Sequence, residues 1–285
     1  MLAFASDGTA VGGAIGPTAV TGVYDLKLLP DGNVVVSSVQ KRSVSAFTRK
    51  GAPVAQTFTD TDPFTSQKLW PSGFSDDGPS QMAVAGDDLW VAGAKEGSTP
   101  GLAVYNWKTG AFQKFVPHPG TSPFLFTSIV ARPDGSLLAS SDESHTICVF
   151  DAATYAPKGS NPCAAVGNIA SCGGWSSFLA LANGTVVGTQ RGTGGVIGCP
   201  FSFIGTNLEI SGSKSPSDAV AVFGMVEGGA EIAAVALSEI TNESFLLRID
   251  GATLATQSSD WKLLKNVTGS SMIRTSGVLR LTPSP

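Results

Sequence analysis

Two histidines and four cysteines are the scarcest reactive residues in this 285-residue chain, and their positions limit the chemistry open to it. Asp142, Glu143 and His145 lie within one short segment and could offer carboxylate oxygens and an imidazole to a metal, with His118 as a donor from elsewhere in the chain. Adjacent loop residues seldom converge on one ion, so the identity of any metal stays unassigned. A Ser, His and Asp mechanism would need one of the same two histidines, and no Gly-x-Ser-x-Gly elbow occurs. No catalytic residue is assigned, no cofactor is expected, and a non-enzymatic role is preferred.

Cys148, Cys163, Cys172 and Cys199 contain no C-x-x-C pair and no histidine at ligand spacing, which argues against a zinc site. Cys163 and Cys172 flank a run of small residues and form a disulfide candidate, the alternative being two ordinary thiols. Cys148, within Thr-Ile-Cys-Val-Phe, reads as a small core hydrophobe.

Binding chemistry is the competing use of the same segments. Trp70 and Phe74 sit in a long segment between residues 60 and 78, where aromatic rings could stack on a sugar or anchor a protein partner. The alternative for Trp70 is that it packs its loop against the body of the protein. The binding candidates are therefore Trp70, Phe74, His118, Glu143 and His145. Trp90, Trp107, Trp175 and Trp261 fall in or beside strands and read as packing. Asn183, Asn242 and Asn266 begin Asn-x-Ser/Thr sequences, which matter only in a glycosylating secretory setting.

These side chains need a scaffold, and internal repeats supply it. Val23 to Ser38 and Phe126 to Ser141 align position for position around a shared Pro-Asp-Gly, each reading as strand, tight turn, strand. Weaker copies surround Gly86-Asp87, Asn183-Gly184 and Gly228-Gly229, and a last copy runs from Ser271 to Thr282. A second hairpin follows most copies, as in Leu102 to Phe115, Ile147 to Pro157 and Phe245 to Thr256, with a degenerate form over 196–210. One strand pair after another in this order predicts an all-β chain, a six-bladed β-propeller of four-stranded antiparallel blades. The blades are expected at 23–61, 78–117, 126–163, 175–213 and 217–261. A sixth is stitched from 268–285 and 1–15, because Met1 to Val11 has the form of Leu247 to Leu254. Joining the ends leaves no blade edge open. A β-sandwich of many hairpins is the alternative.

The Pro-Asp-Gly hairpin followed by Val-Phe-Asp-Ala-Ala-Thr resembles six-bladed propellers of the NHL, YVTN and gluconolactonase type. That resemblance spans nearly the whole chain as a single domain, 1–285, and implies a fold that serves enzymes, lectins and scaffolds alike. Gluconolactonase-type metal ligands do not match positions here, so none is carried over.

Charged residues are only 14% of the chain, glycine contributes 34 residues, and the net charge is −4. Nucleic-acid binders concentrate lysine and arginine on one face, and no such stripe is visible. No apolar run approaches the roughly 18 residues of a membrane span, and the start lacks an export signal, so no membrane insertion is expected. The expectation is a structural or protein-protein interaction module on an exposed assembly, such as a tail or appendage of a virion, with a protein or surface-glycan partner. A virion or extracellular location follows, with the cytoplasm left open. A metal-dependent lactonase or hydrolase and a carbohydrate-binding lectin are the alternatives. In such a fold hairpin turns crowd one face, and the loops holding Trp70, His118, Glu143 and the cysteines crowd the other, where a site is expected.

Overall fold

A computed structural model describes residues 22–48, 51–71, 78–97, 99–120, 124–141, 143–167, 172–192, 199, 201–214, 220–227, 231–238, 244–255 and 262–263. Among them, alternating apolar residues form five four-stranded antiparallel sheets. The first holds β1 (Val23–Leu28), β2 (Val34–Ser38), β3 (Ser43–Phe47) and β4 (Pro53–Thr57). The second holds β5 (Met82–Ala85), β6 (Asp88–Lys95), β7 (Thr99–Asn106) and β8 (Phe112–Pro117). The third holds β9 (Ser128–Ala131), β10 (Ser136–Ser140), β11 (Thr146–Asp151) and β12 (Cys163–Ala165). The fourth holds β13 (Cys172–Ala180), β14 (Val186–Gly192), β15 (Phe201–Ile204) and β16 (Ile210–Lys214). The fifth holds β17 (Val220–Glu227), β18 (Glu231–Ser238), β19 (Ser244–Asp250) and β20 (Lys262–Leu263).

Strands follow one another in chain order within every sheet, and the first strands β1, β5, β9, β13 and β17 touch in succession. That is a β-propeller with its first strands innermost. The described residues give five blades where six were expected, and the expected sixth, 268–285 with 1–15, lies outside them. The degenerate hairpin expected over 196–210 is displaced: its strands are Phe201–Ile204 and Ile210–Lys214.

The sequence repeats are turn repeats. In three blades the first hairpin closes identically, with Leu29, Arg132 and Leu181 amides donating to the carbonyls of Asn33, Ser136 and Thr185. Gly32, Gly135 and Gly184 occupy the positive-φ position that this turn demands, at 84°, 80° and 86°. The second hairpin repeats a different device. Oδ1 of Asn106, Asp151 and Asp250 each accepts two backbone amides and the hydroxyl of a threonine three residues on.

Blades are joined by apolar packing and by neutral hydrogen bonds. Trp90 and Trp175 are fully buried and Trp107 nearly so, as expected of packing residues; Trp261 lies outside the described residues. Ser37 Oγ donates to the Ser80 carbonyl, Ser80 Oγ to Phe126, and Ser128 Oγ to Trp175, so successive blades are linked by serines. Asp25 performs the same task with a carboxyl group, whose oxygens accept the amides of Met82 in the next blade and of its neighbour Leu26, both at 2.8 Å.

Candidate functional site

Among the described residues, the loop-bearing face does not assemble the predicted ones into one centre. Trp70 is 2% exposed, its ring 6.3 Å from that of Tyr105 and close against Gly93, so it packs the long loop down rather than offering a stacking surface. Phe74 and Asp142 lie outside the described residues. Phe64, from the same long loop, is 75% exposed, its ring 6.1 Å from that of Phe112. Glu143 is exposed, and its amide donates to Ser141 Oγ. His145 Nδ1 lies 2.9 Å from Gln190 Nε2, which also donates to the Gly167 carbonyl.

His118 belongs to a separate network. Its ring stacks on Phe126 at 4.6 Å, Nδ1 accepts the Gly120 amide at 3.0 Å, and Nε2 lies 3.7 Å from Cys148 Sγ. Burial pushes its pKa below the usual histidine value, so the ring is neutral at pH 7.

The cysteine expectation is corrected. Cys148 is bonded to Cys163 and Cys172 to Cys199, so the Cys163 to Cys172 pairing does not occur. Cys148 and Cys163 face each other directly in the register of β11 and β12. Cys163 stands on the outermost strand of the third blade, whereas Cys172 stands on the innermost strand of the fourth. Cys148 is buried as expected, but as half of a bond rather than as a simple hydrophobe.

A cleft lies on the opposite face, among the described residues. It has a volume of about 760 Å³ and is walled by the first hairpin turns of the second, third and fourth blades and by the second turn of the third blade. It presents four carboxylates, Asp87, Asp88, Asp134 and Asp151, and one guanidinium, Arg132. The guanidinium is held back in the wall, donating to the Gly205 and Thr206 carbonyls at 2.5 and 3.1 Å, and burial lowers its pKa. Asp88 accepts Tyr155 Oη at 2.8 Å and Gln113 Nε2 at 2.7 Å. Partial burial and Asp88 push the Tyr155 hydroxyl up to about 12, so it remains a donor. Hydrogen bonds from Ser136 hold Asp134 below the usual carboxylate range, and those from Thr154 do the same for Asp151. Those bonds favour the anionic form of Asp134 and Asp151. Sequence reasoning dismissed this face for its short turns. The signal that could have found it is the Asp recurring in Pro-Asp-Gly and Asp-Ala-Ala-Thr, which places acids on one rim.

No protein-family model matches the chain, and no curated protein sequence matches it. Solved structures do. Hydrazine synthase of Kuenenia stuttgartiensis is similar over 89% of this chain and 68% of its own, with TM-score 0.57 and 15% identity. Virginiamycin B lyase of Staphylococcus aureus is similar over 84% and 70%, with TM-score 0.53 and 13% identity. The PQQ-bound aldose sugar dehydrogenase of Streptomyces coelicolor is similar over 86% and 82%, with TM-score 0.58 and 14% identity. At such identities the likeness establishes the β-propeller fold alone.

Proposed function

We propose that the chain is a non-enzymatic interaction module whose turn-face cleft receives a cation-bearing segment of a protein partner. The observation that carries the reading is the cleft itself, where, among the described residues, four carboxylates cluster at hairpin ends with only Asp87 and Asp134 paired, to Lys108 and Lys158 at the surface, and the single guanidinium is held by backbone carbonyls. Such a rim favours lysine or arginine side chains and speeds their encounter. Low overall charge and abundant small residues support an exposed assembly as the setting; assignment to a virion rests on that composition alone. The similar enzymes contribute the fold to this reading and no chemistry. A sixth blade formed by 1–15 and 268–285 is part of the proposal, supported by the likeness of Met1 to Val11 to the hairpin at Leu247 to Leu254; a density map that counts five blades would overturn it.

Selection from a displayed random-peptide library tests the cleft. Sequences carrying lysine or arginine are expected to be enriched, with affinity that weakens as salt is raised. Ala182 is exposed on the rim, and Ala182→Trp is expected to reduce that affinity by about tenfold, or about 1.4 kcal/mol, without loss of folding. Peptides that bind wild type and Ala182→Trp equally, or enrichment of glycans instead on an array, would remove the proposal.

A further inference from the structure

We propose that the Cys148 to Cys163 bond masks a thiophilic metal site, which opens on reduction and binds one zinc ion through His118, Cys148 and Cys163. The three residues are far apart in sequence, and sequence spacing argued against zinc; the fold brings them together across the junction of the second and third blades. His118 follows β8 at the edge of the second blade, while Cys148 and Cys163 are cross-strand partners in the third. The imidazole nitrogen and both sulfurs all lie within 4.8 Å of one another.

The geometry matches the ion. Zn–S bonds of about 2.3 Å and Zn–N bonds of about 2.05 Å in a tetrahedron place nitrogen and sulfur about 3.6 Å apart, and two sulfurs about 3.8 Å apart. His118 Nε2 is already 3.7 Å from Cys148 Sγ. The sulfurs need only separate to ordinary non-bonded distance, which breaking their bond permits. Stacking on Phe126 fixes the ring plane. Gly120 serves both tautomers of the ring, its amide 3.0 Å from Nδ1 and its carbonyl 3.4 Å from it. When Nε2 turns its lone pair to a metal, Nδ1 carries the proton and the carbonyl accepts it, the usual outer support of a metal-bound histidine.

The chemistry balances with a dithiol as reductant. Two electrons pass from the dithiol to the Cys148 to Cys163 bond, giving two cysteine thiols and one new disulfide on the reductant. Zinc then displaces both thiol protons, which leave to solvent, and binds two thiolates and the neutral imidazole, with the fourth position open to water. Exchange with a small-molecule disulfide, which takes the two electrons and leaves as two thiols, re-forms the bond and expels the ion, because bonded sulfurs carry no thiolate charge.

Cobalt(II) as a spectroscopic stand-in, added to the intact chain, tests this. A trialkylphosphine, oxidised by the disulfide to the phosphine oxide with water supplying the oxygen atom and the two thiol protons, reduces the protein without competing as a dithiol would. The reduced chain is expected to bind one equivalent with thiolate-to-cobalt charge transfer and tetrahedral ligand-field bands, and zinc is expected to displace it. The oxidised chain is expected to show neither. His118→Ala should weaken binding at least tenfold, Cys148→Ser should abolish the charge-transfer band, and the Cys172→Ser/Cys199→Ser variant should keep it. Binding that survives Cys148→Ser, or that follows Cys172 and Cys199, overturns the proposal. So does a reduced chain that retains its β-sheet circular dichroism without binding cobalt. Loss of that sheet signal on reduction overturns it as well, since the site depends on the register of β11 and β12 outlasting the bond.

Discussion

Replacing Gly174 with alanine is expected to lower stability by about 4 kcal/mol, the cost of a severe overpacking at a site with no room to relax. A Cβ there would stand 2.2 Å from the Ser141 carbonyl oxygen and 2.3 Å from both the nitrogen and the oxygen of Ser144. These are backbone atoms of the neighbouring blade, so no side-chain rotation relieves the clash. The substitution also pushes apart the Trp175 amide and the Ser144 carbonyl it donates to. In a thermal melt the midpoint should fall by roughly 8–16 °C. Gly86→Ala is the informative comparison, because nothing lies within 4 Å of its Cβ position and only its positive φ resists substitution. That variant should lose about 1 kcal/mol. Equal melting curves for the two variants would show that close approach of the blades is not what fixes Gly174.

Asp25→Ala is expected to cost about 3 kcal/mol at neutral pH, since it strands the buried amide of Met82 and the part-buried amide of Leu26 and leaves a void at the junction of the first two blades. Its pH dependence has a definite sign. Burial raises the Asp25 carboxyl above its ordinary value of 3.8, against the opposing pull of Lys27 at 3.3 Å and the two amides. The folded chain therefore holds this proton more tightly than the unfolded chain. The resulting stabilisation is complete below about 3.8 and is lost as pH rises through the folded pKa. The gap in unfolding free energy between wild type and Asp25→Ala should thus be widest in acid and narrow towards neutrality. Denaturant unfolding across that range measures it, and a gap that widens with pH would mean that the amides and Lys27 outweigh burial.

What could be read from the sequence was what is local. Pro-Asp-Gly and Asp-Ala-Ala-Thr specify turns through φ and a capping oxygen, and those turns stand where they were expected. The buried roles of Trp90 and Trp175 followed from their places in alternating strands. Disulfide pairing was not legible, because β12 is only three residues long and its register against β11 leaves no periodic signature. Trp70 was ambiguous for a similar reason: it adopts φ of 60°, which no composition rule anticipates, and that kink turns its ring inward. The acidic cleft was hidden for a larger reason. Its wall comes from turns some 50 residues apart, and each aspartate taken singly is only a turn residue.

Because every sheet is built from strands consecutive in the chain, contacts that complete a blade are short in sequence and close quickly once that stretch exists. Both sulfur-sulfur bonds respect this division, spanning 15 residues within the third blade and 27 within the fourth. Each cysteine can therefore meet its partner inside a single nascent blade, before later segments arrive. Oxidation can keep pace with synthesis, and neither bond has to wait for the blades that follow.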